Sequence, residues 1–160
     1  MSDYSANSVN PFEWPLVKFS FRVTIDGLPE LGFQTIEGLE SEIGIAEYRM
    51  GNSDFLFKSK RPTLVTFSNV TFKKGEFLGD ANLKDWWHMY AWEHTTNRNE
   101  RKEILIEMLD EATDVMMTWT LYGAFPVKFT PTNMDAEADS EVAFEEIEVA
   151  IESFVLEKGS

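Results

Sequence analysis

From Leu16 onward apolar and polar residues alternate, with Val17, Phe19, Phe21, Val23 and Ile25 on one parity and Lys18, Ser20, Arg22 and Thr24 on the other. A period of two in β-branched and aromatic residues is what a half-buried strand requires, because successive side chains point to opposite faces. Asp26-Gly27 supplies a turn. A second extended stretch is predicted from Gly32 to Tyr48, with Gly38 and Gly44 as bends or bulges. Residues 50–62 show no period and read as a loop ending in the basic run Lys58, Lys60 and Arg61. Beyond it, Val65 and Phe67 fall on one parity and Val70 and Phe72 on the other. That change at Ser68-Asn69 predicts a bulge within one strand, closed by Lys73-Lys74-Gly75.

Only one segment has clear helical spacing. Leu83, Trp86, Trp87, Tyr90 and Ala91 fall at i, i+3, i+4, i+7 and i+8 and form one apolar face, with Asp80 or Asn82 as the expected cap. After a polar connection at Asn97–Glu100, Lys102–Leu109 and Val115–Tyr122 form an expected hairpin around Asp110–Asp114, and Gly123-Ala124-Phe125-Pro126 is expected to break the second strand. Val142 to Leu156 is ambiguous: Ile147, Val149 and Ile151 suit a strand, while Ala143, Ile147, Ala150, Ile151 and Phe154 suit a helix. The pattern predicts a mainly β (α+β) fold with one packed helix. Residues 16–156 form the single domain, 1–15 a polar arm in which Phe12 and Trp14 are possible anchors, and 157–160 a tail.

Composition narrows the chemistry. The chain has 160 residues, 43% of them hydrophobic and 14% aromatic, which is enough to form a core. It has no cysteine, so disulfides, thiolate catalysis and Cys-based metal centres are excluded. With 28 acids against 14 bases the formal charge is −14, which disfavours gripping a phosphate backbone or an anionic membrane. No basic cluster followed by an apolar run begins the chain and no long apolar stretch interrupts it. Synthesis in the cytoplasm without signal peptide or membrane anchor is therefore expected.

Candidate catalytic chemistry is sparse. His88 and His94 lie six residues apart, about 240° around a helix, so they cannot share a metal ion. Asp135, Glu137 and Asp139 with Glu146 loosely match a calcium loop. Ser140 stands where such a loop needs glycine and Ala143 where it needs a polar residue, so a solvated acidic turn is the better reading. No nucleophile elbow, phosphate loop or dinucleotide fingerprint occurs. Trp86 and Trp87 stand at core spacing, as a helix covering a sheet would need, and are read as core rather than as a stacking platform. No catalytic, cofactor or metal residue is assigned, and no enzyme is expected.

Charge is unevenly placed. Residues 135–157 hold nine acids and no base, whereas Lys58, Lys60, Arg61, Lys73 and Lys74 fall within seventeen residues. Solvated faces are the default for such runs. Opposed acidic and basic regions also suit head-to-tail stacking of copies, which closes into rings or continues as filaments. Strands apolar on both faces fit the same idea, since pairing between subunits covers exposed edges.

A series of short motifs resembles the tail tube proteins of contractile-tail phages and related contractile injection systems. In chain order they are Val17-Lys18-Phe19, Gly32-Phe33-Gln34, Glu37-Gly38-Leu39-Glu40, Ala46-Glu47-Tyr48-Arg49-Met50-Gly51-Asn52 and Asn69-Val70-Thr71-Phe72-Lys73-Lys74-Gly75. Leu83-Lys84-Asp85-Trp86-Trp87, Thr118-Trp119-Thr120-Leu121, Ala124-Phe125-Pro126-Val127-Lys128 and Glu141-Val142-Ala143-Phe144-Glu145-Glu146 complete the set. The family's usual Lys-x-Pro-Gly departs here to Lys60-Arg61-Pro62-Thr63.

The resemblance implies a sandwich or barrel-like subunit, six of which join their sheets around a lumen. The rings would stack into a tube inside a contractile sheath, with baseplate, spike and tube-initiator proteins as further partners. It also implies that the C-terminal segment is a strand, and that the loop holding Met50, Gly51, Asn52, Lys58, Lys60 and Arg61 reaches the next ring. Asp135, Glu137, Asp139, Glu141, Glu145, Glu148 and Glu152 are expected on an acidic lumen or ring face, where negative charge repels anionic cargo instead of binding it tightly. No cofactor is implied. A tube initiator, a secreted ring protein of the type VI system and a monomeric small-ligand-binding β-barrel are the competing expectations.

Overall fold

The computed structural model describes residues 20–52, 54–75, 81–92, 99–131 and 144–159. Its elements are β1 (Ser20–Ile25), β2 (Leu31–Phe33), β3 (Thr35–Glu37), β4 (Ser41–Tyr48), β5 (Ser59–Phe67), β6 (Val70–Gly75), α1 (Asn82–Ala91), β7 (Lys102–Leu109), β8 (Val115–Thr130), β9 (Phe144–Ala150) and β10 (Ser153–Lys158). Among the described residues the fold is mainly β with one helix, and the C-terminal segment from Phe144 onward is strand.

β8 organises the molecule. Its first half pairs with β7 on one side and β10 on the other, while its second half pairs with β9. β9 and β10 thus run in succession along β8, separated only by the break at Ile151-Glu152. The strands form one continuous ladder, β2-β1-β7-β8-β9-β6-β3 with β10 also on β8, which the two halves of β8 divide into a sheet β2-β1-β7-β8-β10 and a sheet β8-β9-β6-β3. β2 and β3 follow one another in the chain, and the Gln34 amide between them donates to the Lys73 carbonyl at 2.9 Å. The two sheets are therefore joined on one side by β8 and on the other by the β2–β3 connection, giving a barrel-like sandwich.

Alternation places the core. Val23 and Ile25 of β1, Ile104 and Ile106 of β7, Val70 and Phe72 of β6, and Ile147 and Val149 of β9 are all buried. Leu83, Trp86 and Tyr90 of α1 close over them. Trp87 is half-buried and stacks on Phe129 at 6.5 Å, while Tyr90 stacks on Phe125 at 6.4 Å. The four core-helix positions read from spacing thus all face β8 or the core. Ala81 is the residue before the helix, with no side-chain cap, and Asn82 is its first helical residue. Asn82 is thus not the cap, and Asp80 lies outside the described residues.

Three further expectations change. Residues 50–62 are not all loop: β5 begins at Ser59, so Lys60 and Arg61 are strand residues paired with Glu47 and Ala46. Ser68-Asn69 separates two strands in different sheets instead of bulging one, because β5 pairs with β4 and β6 with β3 and β9. Gly123-Pro126 does not end β8. Gly123 takes φ +65, where a Cβ would lie 2.5 Å from the Glu152 carboxyl carbon, and the strand bends there from one sheet into the other.

Candidate assembly interface

β4 and β5 form a two-stranded hairpin of their own, outside the sandwich. Its root is fixed by Phe67, whose ring meets Phe154 of β10 edge-on at 5.2 Å. A bulge between Ile43 and Ile45 sets two steps of β4 against three of β5. Gly44 makes room for it, since a Cβ there would approach the Thr63 hydroxyl to 2.5 Å.

Along the stem the ladder places Ile43 opposite Val65 and Ile45 opposite Pro62. These residues make one apolar face, and Leu64, 82% exposed, projects beside it. At the far end Met50, Phe55, Leu56 and Phe57 are all exposed, Leu56 by 96%, with the two phenylalanine rings 5.2 Å apart. Isolated exposed apolar residues are ordinary, but a run of them on one projecting element of an acidic chain marks a surface for association.

The charges of the hairpin are arranged around this apolar surface. Lys58 and Lys60 lie 4.0 and 3.9 Å from Glu47, and the Arg61 guanidinium donates to the Tyr48 hydroxyl at 3.2 Å while resting over its ring. All are solvent-exposed, so each pair contributes about 0–1 kcal/mol and holds the side chains only loosely. Within this chain, then, the basic run already faces one acid of its own hairpin. Met50, Gly51 and Asn52 lie exposed at the turn.

The acidic residues do not form one surface. Asp135, Glu137, Asp139 and Glu141 lie outside the described residues. Glu145 is buried, on the same parity as Ile147 and Val149, and pairs with the equally buried Lys74 at 2.9 Å. It belongs to the core and not to an exposed acidic face. Glu148 has the opposite parity and accepts from the Asn69 amide at 3.0 Å. Glu152 is exposed at the break between β9 and β10, with its backbone amide donating to the Tyr122 carbonyl.

Sequence reading passed over the apolar stem, because Ile43, Ile45, Leu64 and Val65 look like ordinary strand residues. The signal for the tip was present in Phe55-Leu56-Phe57, three consecutive large apolar residues in a polar stretch. His88 is exposed and stacks on Trp92 at 6.1 Å, and His94 lies outside the described residues. Among the described residues no three metal-ligating side chains cluster, and no helix is long and apolar enough to cross a membrane.

Comparison with known proteins places this architecture. No curated protein matches the chain. Among solved structures, the chain is similar to one from an extracellular contractile injection system, the PVC sheath-tube complex in its extended state. The TM-score is 0.76 at 28% identity, covering 92% of this chain and 95% of that one. It is also similar to the tube terminating cap of the anti-feeding prophage, with TM-score 0.77 at 25% identity, covering 97% and 100% of the two chains. Hcp1 from Flavobacterium johnsoniae shares the fold at 15% identity, with TM-score 0.54 over 88% and 96% of the chains. The model of the T4-like virus tail tube protein gp19 family matches residues 17–155. That match spans nearly the whole domain with its long bent strand, covering helix and projecting hairpin, and the chain belongs to the tail tube protein family of contractile injection systems and phage tail-like particles.

Proposed function

We propose that this chain is the repeating subunit of an inner tube: six copies close into a ring, rings stack into a hollow conduit, and the β4–β5 hairpin is the element that joins copies. The observation that carries this reading is the hairpin itself. Its apolar residues are exposed along its length, from Ile43 and Val65 to Leu56 at the tip, and among the described residues no other element covers them. Burying a side chain such as Leu or Ile contributes about 1.5–3 kcal/mol, so several such residues on each of many identical copies are sufficient to drive assembly.

The role is structural, as it is for the family, with no catalytic part. A contractile sheath is the partner around the tube, with initiator and baseplate or spike proteins at one end, and the similarity to a sheath-tube complex supports this arrangement. The subunit is assembled in the bacterial cytoplasm and ends in a phage or phage tail-like particle. Glu148 and Glu152 supply acidic surface to the lumen or a ring face, which keeps anionic cargo mobile.

Negative-stain electron microscopy of the purified protein, alone and with baseplate components, tests the reading. Rings or hollow tubes are expected. Uniform small particles that no baseplate template converts to tubes would overturn it.

A further inference from the structure

The core face of one sheet runs out of cover at its end. On β8, Leu121, Trp119, Met117 and Val115 share one parity, and Leu121 and Trp119 pair with the core residues Ile104 and Ile106 of β7. Leu121 is fully buried, Trp119 and Met117 are half-buried, and Val115 is 39% exposed. β10 repeats the gradient: Phe154 is half-buried against Phe67, whereas Leu156, opposite Trp119, is 41% exposed. Among the described residues the strip therefore continues the core face as far as Met117, with Val115 just past the register shift opposite Leu109, and it is left open beyond the root of the hairpin. The acids Asp110, Glu111 and Asp114 of the β7–β8 turn stand at its end, against the single base Lys158, which lies opposite Met117 on the same face.

We propose that this strip, Val115, Met117, Trp119 and Leu156, is the acceptor on one copy for the β4–β5 hairpin tip of another. The inference rests on the tube reading and names the second half of its contact. Charge selects the occupant. The end of the hairpin, residues 47–61, carries Arg49, Lys58, Lys60 and Arg61 against Glu47 and Asp54, an excess of positive charge on a chain of net −14. The strip has the opposite excess. Apolar character also matches, with Phe55, Leu56 and Phe57 on one side and an uncovered sheet face containing a flexible methionine on the other. Tip and strip are different surfaces, so the contact is head-to-tail and continues from copy to copy instead of closing a two-fold dimer. Residues 1–19 are the competing occupant, since they enter β1 at Ser20, which pairs with Leu109 at this same end. Their charges are Asp3, Glu13 and Lys18, which do not complement an acidic rim.

The absence of native cysteine makes the contact directly testable. The double variant Leu56→Cys/Val115→Cys and each single variant are assembled into tubes, verified on micrographs and treated with a short bis-maleimide cross-linker. Tubes of the double variant are expected to give a ladder of linked chains extending past one ring on a denaturing gel, with the single variants unlinked. Intact tubes without that ladder would overturn the acceptor assignment while leaving the tube reading in place. A Trp14→Cys/Val115→Cys variant that links within one chain would also overturn it, because the strip would then be covered by the chain's own N-terminal residues. A wild-type chain that forms no tube on any baseplate template overturns both.

Discussion

Lys74 and Glu145 occupy core-facing positions on neighbouring strands, where β6 pairs with β9, and their side chains meet at 2.9 Å with almost no solvent exposure. Taking two charges out of water costs several kcal/mol per ion before their attraction offsets it, so such a pair fixes register more than it adds stability. Lys74→Met should leave a buried carboxylate alone and destabilise the protein by about 3–5 kcal/mol, whereas Lys74→Met/Glu145→Leu should return close to wild type. Urea unfolding of the single and double variants checks this. Parity alone puts Lys74 with Phe72 and Glu145 with Ile147. Reading the acids as one charged run obscured that placement. Tyr90 gives a second prediction. Burial, aided by Glu100, raises its pKa above the ordinary tyrosine value, against a lowering by Arg101. The folded state therefore keeps its proton where the unfolded chain has lost it. Stability from this group is intact below about pH 10 and falls as pH rises through the region above it. Thermal melts of wild type should drop more steeply there than those of Tyr90→Phe.

The elements held by the core are legible in the sequence, and those held by pairing alone only in part. β1 and α1 bury one face each, so their periods of two and 3.6 appear in the residue pattern. The β4–β5 stem is exposed along most of both strands among the described residues, so although β4 falls within the predicted extended stretch and Val65 and Phe67 within a predicted strand, the Ser59–Pro62 part of β5 has no period and reads as loop. β8 misled in another way: Gly123 and Pro126 looked like a stop, but one supplies the positive φ of a bend and the other lies next to a shift in the β9 register. The independence of the hairpin from the core makes it separable. Replacing Met50–Phe57 by a short polar turn should leave the unfolding temperature of the sandwich within a few degrees of wild type, because the replaced side chains are solvent-exposed. The same change should abolish tubes. Calorimetry alongside electron microscopy reads the two outcomes separately, and loss of the fold would place the tip inside the stability of the domain instead of its assembly.

At the scale of the whole molecule, ordered motifs make the family legible, but residue spacing does not mark which faces meet between copies, because self-association leaves no fixed spacing in one chain. Charge sets how that association responds to conditions. Each copy carries −14, so copies repel one another through every acid within range. In 0.01 M salt that range is about 30 Å and most charges of two adjoining subunits interact; at 0.15 M it is about 8 Å and only groups at the contact still do. The remaining terms at higher salt are the apolar hairpin contact, which screening does not weaken, and the local attraction between basic tip and acidic rim. Assembly should therefore be poorest in the lowest salt and improve toward physiological ionic strength, the reverse of a contact held by ion pairs alone. Reversing Lys58, Lys60 and Arg61 to glutamate removes the local attraction and extends the repulsion to the contact itself. That variant should need still more salt to form the same mass of tube, as followed by light scattering. If instead wild-type assembly weakens steadily as salt is added, exposed ion pairs outweigh the apolar surface of the hairpin, and the order of the two contributions argued from its exposure is wrong.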